Sequence, residues 1–190
     1  NQHNHNKWQN KKTTDYTDVE MILSNFNKLS FNTFDIISEE IKKYNIITID
    51  DMTTIVTSIF SKCINDKQFV QINCNLIKKI MMEYKWIVYD DTNIPTTFRK
   101  CFINLLELKF KDFILEINDD TELDEKDKNF LSETRKTYFF LLSTLFAECI
   151  IGNQLFRFIF NNIENEYLNT LNDEYMDHWL ILYKTAKIYW

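Results

Sequence analysis

Few side chains in this chain have the types and spacing that chemistry requires. Its three histidines are His3, His5 and His178. A pair two residues apart can hold a metal ion loosely, but a protein metal site needs about four converging ligands, and no further ligand motif accompanies His3 and His5. The sequence therefore predicts no metal and no cofactor, and we assign His3 and His5 to a polar N-terminal segment.

The cysteines and the adjacent carboxylates have simpler explanations than catalysis. The four cysteines are scattered and form no Cys-x-x-Cys motif: Cys63, Cys74, Cys101 and Cys149. This usage predicts reduced core residues of an intracellular protein. Glu39–Glu40 and Asp50–Asp51 are adjacent carboxylates that solvated helix faces and helix N-termini explain.

A catalytic constellation is also missing from the sequence. Nucleophilic side chains are present, but none has a recognisable partner base. Phosphate-loop, dinucleotide-binding and His-Glu-x-x-His motifs are absent. We expect a protein that is not an enzyme.

Composition favours helices. The chain has one glycine, Gly152, and one proline, Pro95, while 45% of its residues are hydrophobic and 15% aromatic. Sandwiches and barrels need many Gly and Pro turns, so an all-helical fold with a sizeable core is expected. The abundance of Asn, Ile and Lys is typical of AT-rich genomes, such as those of some protists and large DNA viruses.

Charge and hydropathy restrict the partners. The formal net charge is −6, so the overall field does not attract nucleic acid. The residues that could form local contacts with RNA are the lysine pairs Lys42–Lys43, Lys78–Lys79, and Lys109 with Lys111. No apolar run reaches the ~18 residues of a membrane span, and a cytoplasmic location is expected.

Apolar residues at three- and four-residue spacing predict about eight helices. They cover Tyr16–Leu29, a segment opened by Ser30, a segment after Asp50–Asp51, a segment beginning within Asn65–Lys79, a segment opened by Pro95, Leu131–Ile151 ended by Gly152, Leu155–Ile163 and Leu171–Trp190. The residues expected to point inward include Phe34, Ile59, Phe60, Phe69, Phe98, Phe102, Phe110, Met176, Trp179, Leu180 and Tyr183. Two loops are predicted, one at Tyr89–Pro95 and an acidic one at about 116–129.

These helices are interpreted as four antiparallel pairs that start near Thr17, Asp50, Pro95 and Gly152. Such pairs bury their faces against neighbouring pairs. The prediction is a right-handed all-α superhelix without a sheet, one domain over 15–190 that follows a polar tail over 1–14. Trp8 has no local core in that tail, and we expect it to anchor on the helices or on a partner.

Four ordered stretches resemble the middle domain of the large scaffold subunit of the eukaryotic cap-binding complex. They are "NKWQNKK" (Asn6–Lys12), "NKLSFNTF" (Asn27–Phe34), "IFSKCINDKQF" (Ile59–Phe69) and "FRKCFIN" (Phe98–Asn104) followed by Phe110. The sequence departs from the family at Leu105, where the family favours Arg, and at Ser143–Thr144, where it favours Gly-Glu. The family domain has five helix pairs, and a fifth pair is not evident in this sequence.

The resemblance implies a HEAT-like crescent that binds a DEAD-box RNA helicase, holds its two lobes in a productive arrangement and stimulates it in translation initiation. The partner-binding residues it suggests are Trp8, Lys28, Lys62, Asp66, Arg99, Lys100 and Asn104. Tyr16, Met21 and Ile22 of "YTDVEMI" resemble weakly the motif that holds the cap-binding subunit, with Met21 in place of Leu.

Two other functions remain open at this point. The same fold serves crescent scaffolds in splicing, mRNA decay and deadenylation. A direct RNA-binding module without a helicase is the alternative from another class, and salt-sensitive binding to RNA alone would support it.

Overall fold

The computed structural model describes residues 17–89, 91, 93–119 and 124–189, with side chains described outside 115–119 and 189. Within these residues the chain forms eight α-helices, a short 3₁₀ helix at Lys67–Phe69 and two short strands. The helices are α1 (Asp18–Phe26), α2 (Phe34–Ile41), α3 (Ile49–Asn65), α4 (Val70–Glu83), α5 (Phe98–Asp119), α6 (Glu125–Ala147), α7 (Asn153–Thr170) and α8 (Asp173–Tyr189); the strands are β1 (Ile87–Tyr89) and β2 (Pro95–Thr97).

Side-chain caps fix several helix starts. Thr17 and Thr48 each accept a hydrogen bond from the backbone N–H three residues later, at 3.3 Å from Glu20 and 3.0 Å from Asp51. The carboxylates of Glu20 and Asp51 accept the N–H of the capping threonine in return, which completes two capping boxes. The predicted role of Asp50–Asp51 at a helix N-terminus is confirmed.

The second helix begins four residues later than Ser30 suggested. The Ser30 N–H donates to the Thr33 hydroxyl oxygen at 2.9 Å, and that hydroxyl donates to the Lys28 carbonyl at 2.7 Å. These bonds close a turn ahead of Phe34, because Ser and Thr side chains compete with helical bonding at such positions. Ser30 therefore belongs to the turn, and Thr33 is the N-cap residue.

The helices pack as an all-α superhelix in two layers. In one layer α1, α3 and α5 lie side by side, and in the other α2, α4, α6 and α8 follow each other. Helix α7 packs on α8, and α6 also packs across the layers on α3. The predicted stack of about four helix pairs is confirmed.

The prediction of no sheet is wrong at one hairpin. Strands β1 and β2 pair antiparallel, with Ile87 opposite Thr97 and Tyr89 opposite Pro95. Pro95 therefore starts an edge strand, where its missing N–H is tolerated, and not the first turn of a helix. Helix α5 begins after Thr97, whose hydroxyl oxygen accepts the Lys100 N–H at 3.2 Å.

Gly152 does not end α6. The helix ends at Ala147, and Cys149, two residues further on, adopts the left-handed conformation with φ of 58°. The Ile150 N–H donates to the Leu145 carbonyl at 2.8 Å and the Cys149 N–H to the Phe146 carbonyl at 2.9 Å, the two bonds of a Schellman motif. Gly152 is instead the N-cap residue of α7.

In the acidic segment that was predicted as a loop at 116–129, the described residues 116–119 and 125–129 are helical. Helix α5 continues through Asp119 and α6 begins at Glu125. The Asp124 carboxylate accepts the Asp127 N–H at 2.8 Å and caps α6. The acidic residues at the start of α6 favour its N-terminus, because the helix dipole is positive there.

The inward face of the last helix differs from the prediction. Tyr175, His178, Leu182 and Ala186 are buried, whereas Leu180 and Tyr183 are 41% and 44% exposed. Met176 and Trp179 are half-buried. Helix α8 carries apolar residues on more than one face, so periodicity alone did not select the stripe that packs on α6.

The other residues expected to point inward are mostly buried. Phe69 is 40% exposed and not part of the core, whereas the following are buried as predicted: Ile59, Phe60, Phe98, Phe102 and Phe110.

Charged groups lie in the interface between α6 and α8. The fully buried Arg135 guanidinium lies 3.3 Å from a carboxylate oxygen of Glu174. His178 is also fully buried, and its ring stacks on Phe139 with centroids 4.3 Å apart. Burial, with smaller effects of the charges on Arg135 and Lys136, lowers the pKa of His178 to about 3.

Replacing Cys149 by glycine should stabilise the chain by about 0.5–1 kcal/mol, because glycine adopts the left-handed conformation without the penalty that a Cβ atom carries. Cys149→Ala is the matched control, since it removes the thiol but keeps the Cβ. The free energy of unfolding in urea should rise for Cys149→Gly only. Equal changes in both variants would show that backbone conformation is not the cause.

Because of His178, the free energy of unfolding should decrease as the pH is lowered. The unfolded histidine has a pKa of about 6.5, above its folded value of about 3, so between these values the unfolded chain binds more protons. The free energy of unfolding should then decrease by up to ~1.4 kcal/mol per pH unit as the pH is lowered from about 6.5.

Urea unfolding of wild type and His178→Phe between pH 6.5 and 5 measures this contribution, because carboxylates titrate mainly below that interval. His3 and His5 are present in both proteins and serve as an internal control. The variant should show the smaller slope, and identical slopes would rule out the assigned role of His178.

Candidate partner-binding surface

The residues that the resemblance singles out form two groups. The first, here called the Lys62 patch, consists of Lys28, Lys62 and Asp66, which follow α1 or lie at the end of α3. The Lys62 ammonium donates to the Asn27 side-chain oxygen at 2.8 Å, so the ends of α1 and α3 lie together. Lys28 is exposed, and Lys62 and Asp66 are half-buried.

Asp66 in this patch has a local structural role. Its carboxylate accepts the Gln68 N–H at 3.0 Å and caps the 3₁₀ helix that connects α3 to α4. A cavity of about 120 Å³ beside the patch is lined by residues that include Lys62 and Phe69. The exposed Phe69 ring thus belongs to this surface.

The second group, the Arg99 patch, consists of Arg99, Lys100 and Asn104 on the first two turns of α5. All three side chains are exposed. Arg99 contacts the Met81 sulfur at 3.9 Å, near the end of α4. Among the described residues, neither Arg99 nor Lys100 forms an ion pair with a carboxylate, so both cations are available to a partner.

The two patches lie at opposite ends of the helical layer. Lys62 is in the last turn of α3, whereas the hairpin that leads into α5 contacts α3 and is held at the other end of that helix by Trp86. The Trp86 indole N–H donates to the Tyr44 carbonyl at 3.1 Å, which holds that hairpin beside the segment preceding α3. Helix α3 has 17 residues, so at 1.5 Å per residue the patches are separated by about 25 Å.

The lysine pairs that were considered for RNA contacts are largely occupied. Five of these six lysines form ion pairs with carboxylates: Lys42 with Glu83, Lys43 with Glu40, Lys78 with Glu148, Lys79 with Glu39 and Lys109 with Asp112. Such pairs leave little net positive field for a phosphate backbone. Lys111 is exposed and lies elsewhere, at the groove described below.

Several positions named from sequence are not on the accessible surface. Ile22 is fully buried and Met21 half-buried, so the weak cap-binding motif packs inward, and its Tyr16 lies outside the described residues, as does Trp8. Ser143 and Thr144, where the sequence departs from the family pattern, are also buried.

Three of the four thiols are unsuited to nucleophilic chemistry. Cys63 and Cys74 are buried as predicted, and burial raises the pKa of Cys63 to about 12 and that of Cys74 still further. Burial also raises the pKa of Cys101, next to the Arg99 patch. Since the thiolate is the reactive form, these three cysteines stay protonated at neutral pH. Cys149 is exposed, which corrects its predicted core position.

A groove between α5 and α7 was not predicted from the sequence. It has a volume of about 840 Å³, and its floor consists of the buried side chains Leu106, Phe110, Ile151 and Ile159. Helices α1, α3 and α5 pack side by side. Helices α5 and α7, in contrast, stand apart and are in contact at the rings of Phe110 and Phe158, whose centroids are 6.3 Å apart. Phe158 stays 56% exposed at the edge of the groove.

The rim of this α5–α7 groove is polar. Helix α5 contributes Arg99, Glu107 and Lys111, and α7 contributes the neutral side chains Gln154 and Asn162. Arg99 therefore belongs both to the Arg99 patch and to the groove. The sequence does indicate this face of α5, because Arg99, Ile103, Leu106 and Phe110 follow helical spacing. Spacing does not reveal that α7 leaves the face uncovered.

In the part of the chain that the structure describes, no three His, Cys, Asp or Glu residues are grouped so as to hold a metal ion. Over the same residues, none of the helices has the length and apolar character needed to cross a membrane. The chain matches no protein-family model and no curated protein.

Proposed function

We propose that this chain is a scaffold domain that binds a DEAD-box RNA helicase and stimulates it, as the resemblance to the translation initiation scaffold implies. The observation that carries the proposal is the presence of two polar patches about 25 Å apart on one helical layer, each formed by residues of the family-like stretches. A partner with two lobes needs two such contact points.

The mechanism is a shift in the helicase's conformational equilibrium. Its two lobes are joined by a flexible linker, and a rigid body that contacts both favours arrangements in which they are close. The scaffold changes this equilibrium only by its difference in affinity for the two states, and a tenfold change requires about 1.4 kcal/mol. The helicase supplies ATP hydrolysis, and the scaffold contributes no chemistry.

The exposed cations of the patches suit this role. Lys28, Arg99 and Lys100 are exposed, so they act at the rim of a contact, where charge governs the association rate and partner choice more than final affinity. The acidic balance of the whole chain, with net charge −6, favours a protein partner over RNA. In this role the domain acts in the cytoplasm.

Charge reversal in each patch should reduce helicase stimulation. The variants are Lys28→Glu with Lys62→Glu, and Arg99→Glu with Lys100→Glu, each compared with Lys184→Glu with Lys187→Glu, an exposed pair on α8 outside both patches. RNA-dependent ATP turnover of a DEAD-box initiation helicase is measured with and without each protein at low salt. Each patch variant should lower the stimulation several-fold, because attraction at a rim becomes repulsion.

The expected pattern is a loss in both patch variants, little change in the α8 pair and no ATPase activity of the scaffold alone. Circular dichroism checks that each variant is folded. Normal stimulation by both folded patch variants would place the contact elsewhere. A wild-type chain that binds the helicase without raising its turnover would contradict the scaffold mechanism.

A further inference from the structure

We infer that the α5–α7 groove binds a short amphipathic helix of a partner protein, with an apolar stripe facing the groove and acidic residues toward both ends. This site shares Arg99 with the Arg99 patch, but its apolar floor lies outside both patches, and the inference does not rest on the proposed helicase contact. The inference combines the apolar floor, the absence of covering side chains from α7 and the charges along the rim.

The walls of the groove favour a helix over an extended peptide. Apart from the turn at Ile151–Gly152 and the uncapped first turn of α7, the backbone groups of both walls are hydrogen-bonded within α-helices, so the walls offer no edge for strand addition. An extended segment lying on Leu106, Phe110 and Ile159 would leave its own backbone groups without partners over an apolar floor, which is costly. A helix satisfies its backbone internally and presents only side chains.

The dimensions define the length of the helix. Arg99 and Lys111 mark the two ends of the α5 wall and are twelve residues apart, which corresponds to about 18 Å of helix. A partner helix of about three turns spans the same distance. Its apolar residues at three- and four-residue spacing can enter between Ile103 on one wall and Leu155 and Phe158 on the other.

The rim charges define the polar residues of the partner. Arg99 and Lys111 are cationic and Glu107 is anionic, which gives the rim a positive excess on a chain of net charge −6. Acidic side chains near both ends of a bound helix meet these cations. A basic or neutral residue is favoured opposite Glu107, because like charges across an interface are unfavourable.

The chain's own N-terminal segment does not fit these requirements. Residues 1–16 contain Lys7, Lys11 and Lys12 against the single acid Asp15, and their large apolar residues are Trp8 and Tyr16. A basic segment without an apolar stripe is complementary neither to the rim nor to the floor. The acidic partner helix is therefore the occupant that the groove selects.

A displayed library tests this inference directly. Phage carrying 16-residue peptides on a helix-forming Ala, Glu and Lys frame, with ten randomised positions, are selected on the immobilised full chain. The enriched peptide is then synthesised with fluorescein, and its binding is measured by fluorescence anisotropy. Enriched sequences should carry an apolar stripe at three- and four-residue spacing with acidic residues near both ends.

Two exposed apolar residues supply a matched pair of variants. Phe158→Asp, at the edge of the groove, should weaken peptide binding at least about tenfold, as expected for loss of a central aromatic contact. Leu108→Asp, on α5 and equally exposed at 58% but not lining the groove, should leave binding unchanged. Arg99→Glu should weaken it about two- to fivefold at low salt, the range of an exposed ion pair.

Other results would overturn the inference. One is enrichment of peptides without an apolar stripe, and another is binding that is indifferent to Phe158→Asp. Concentration-dependent dimerisation abolished by Phe158→Asp would assign the groove to a second copy of the chain. A gain in peptide affinity on deletion of residues 1–16 would assign the groove to the N-terminal segment. Oligouridine binding that is lost in Arg99→Glu but not in Phe158→Asp would assign the groove to RNA.

Helicase stimulation measured on Phe158→Asp keeps the two proposals apart, because stimulation should remain normal when peptide binding is lost.

Discussion

The whole fold depends on the burial of one stretch of α6. From Tyr138 to Phe146 its side chains are buried apart from the half-buried Phe140, because α3 and α4 cover one side and α8 the other. The Tyr138 hydroxyl donates to the Leu106 carbonyl at 2.6 Å and ties α5 to this centre. At the same interface, Arg135 and Glu174 form an ion pair whose disruption would leave a buried charge, typically a cost of about 3–5 kcal/mol. The positions of both patches and of the groove follow from this central helix.

The sequence predicted those features of the fold that come from local chemistry. Apolar spacing indicated the helices, and the scarcity of glycine and proline indicated an all-α stack. Features that depend on tertiary packing were missed. The strand Ile87–Tyr89 has only three residues, too few to show a period of two. His178 was not among the residues expected to point inward, but it is buried and stacks on Phe139. The left-handed residue that follows the end of α6 is Cys149 and not the more obvious Gly152.

The candidate surface was predicted only in part. Four of the suggested residues are exposed, which agrees with an interface role: Lys28, Arg99, Lys100 and Asn104. Two others are not free for such a role, because Ile22 is buried and Asp66 caps a helix. The sequence could not show that these residues divide between two ends of one layer, because that depends on how α1, α3 and α5 align. Nor could it reveal the α5–α7 groove, which exists because two helices with suitable apolar faces stand apart along the floor, with a contact between the rings of Phe110 and Phe158.

The central claim is that the two patches contact different lobes of one helicase. Site-specific photo-cross-linking tests it most directly, with a benzophenone amino acid placed at Lys28 in one protein and at Lys100 in another, each mixed with the helicase, RNA and ATP. Peptide mapping of the products identifies the lobe that each position reaches. The account predicts that Lys28 cross-links to one lobe and Lys100 to the other. Cross-links from both positions to the same lobe, or from neither position to the helicase, would contradict it.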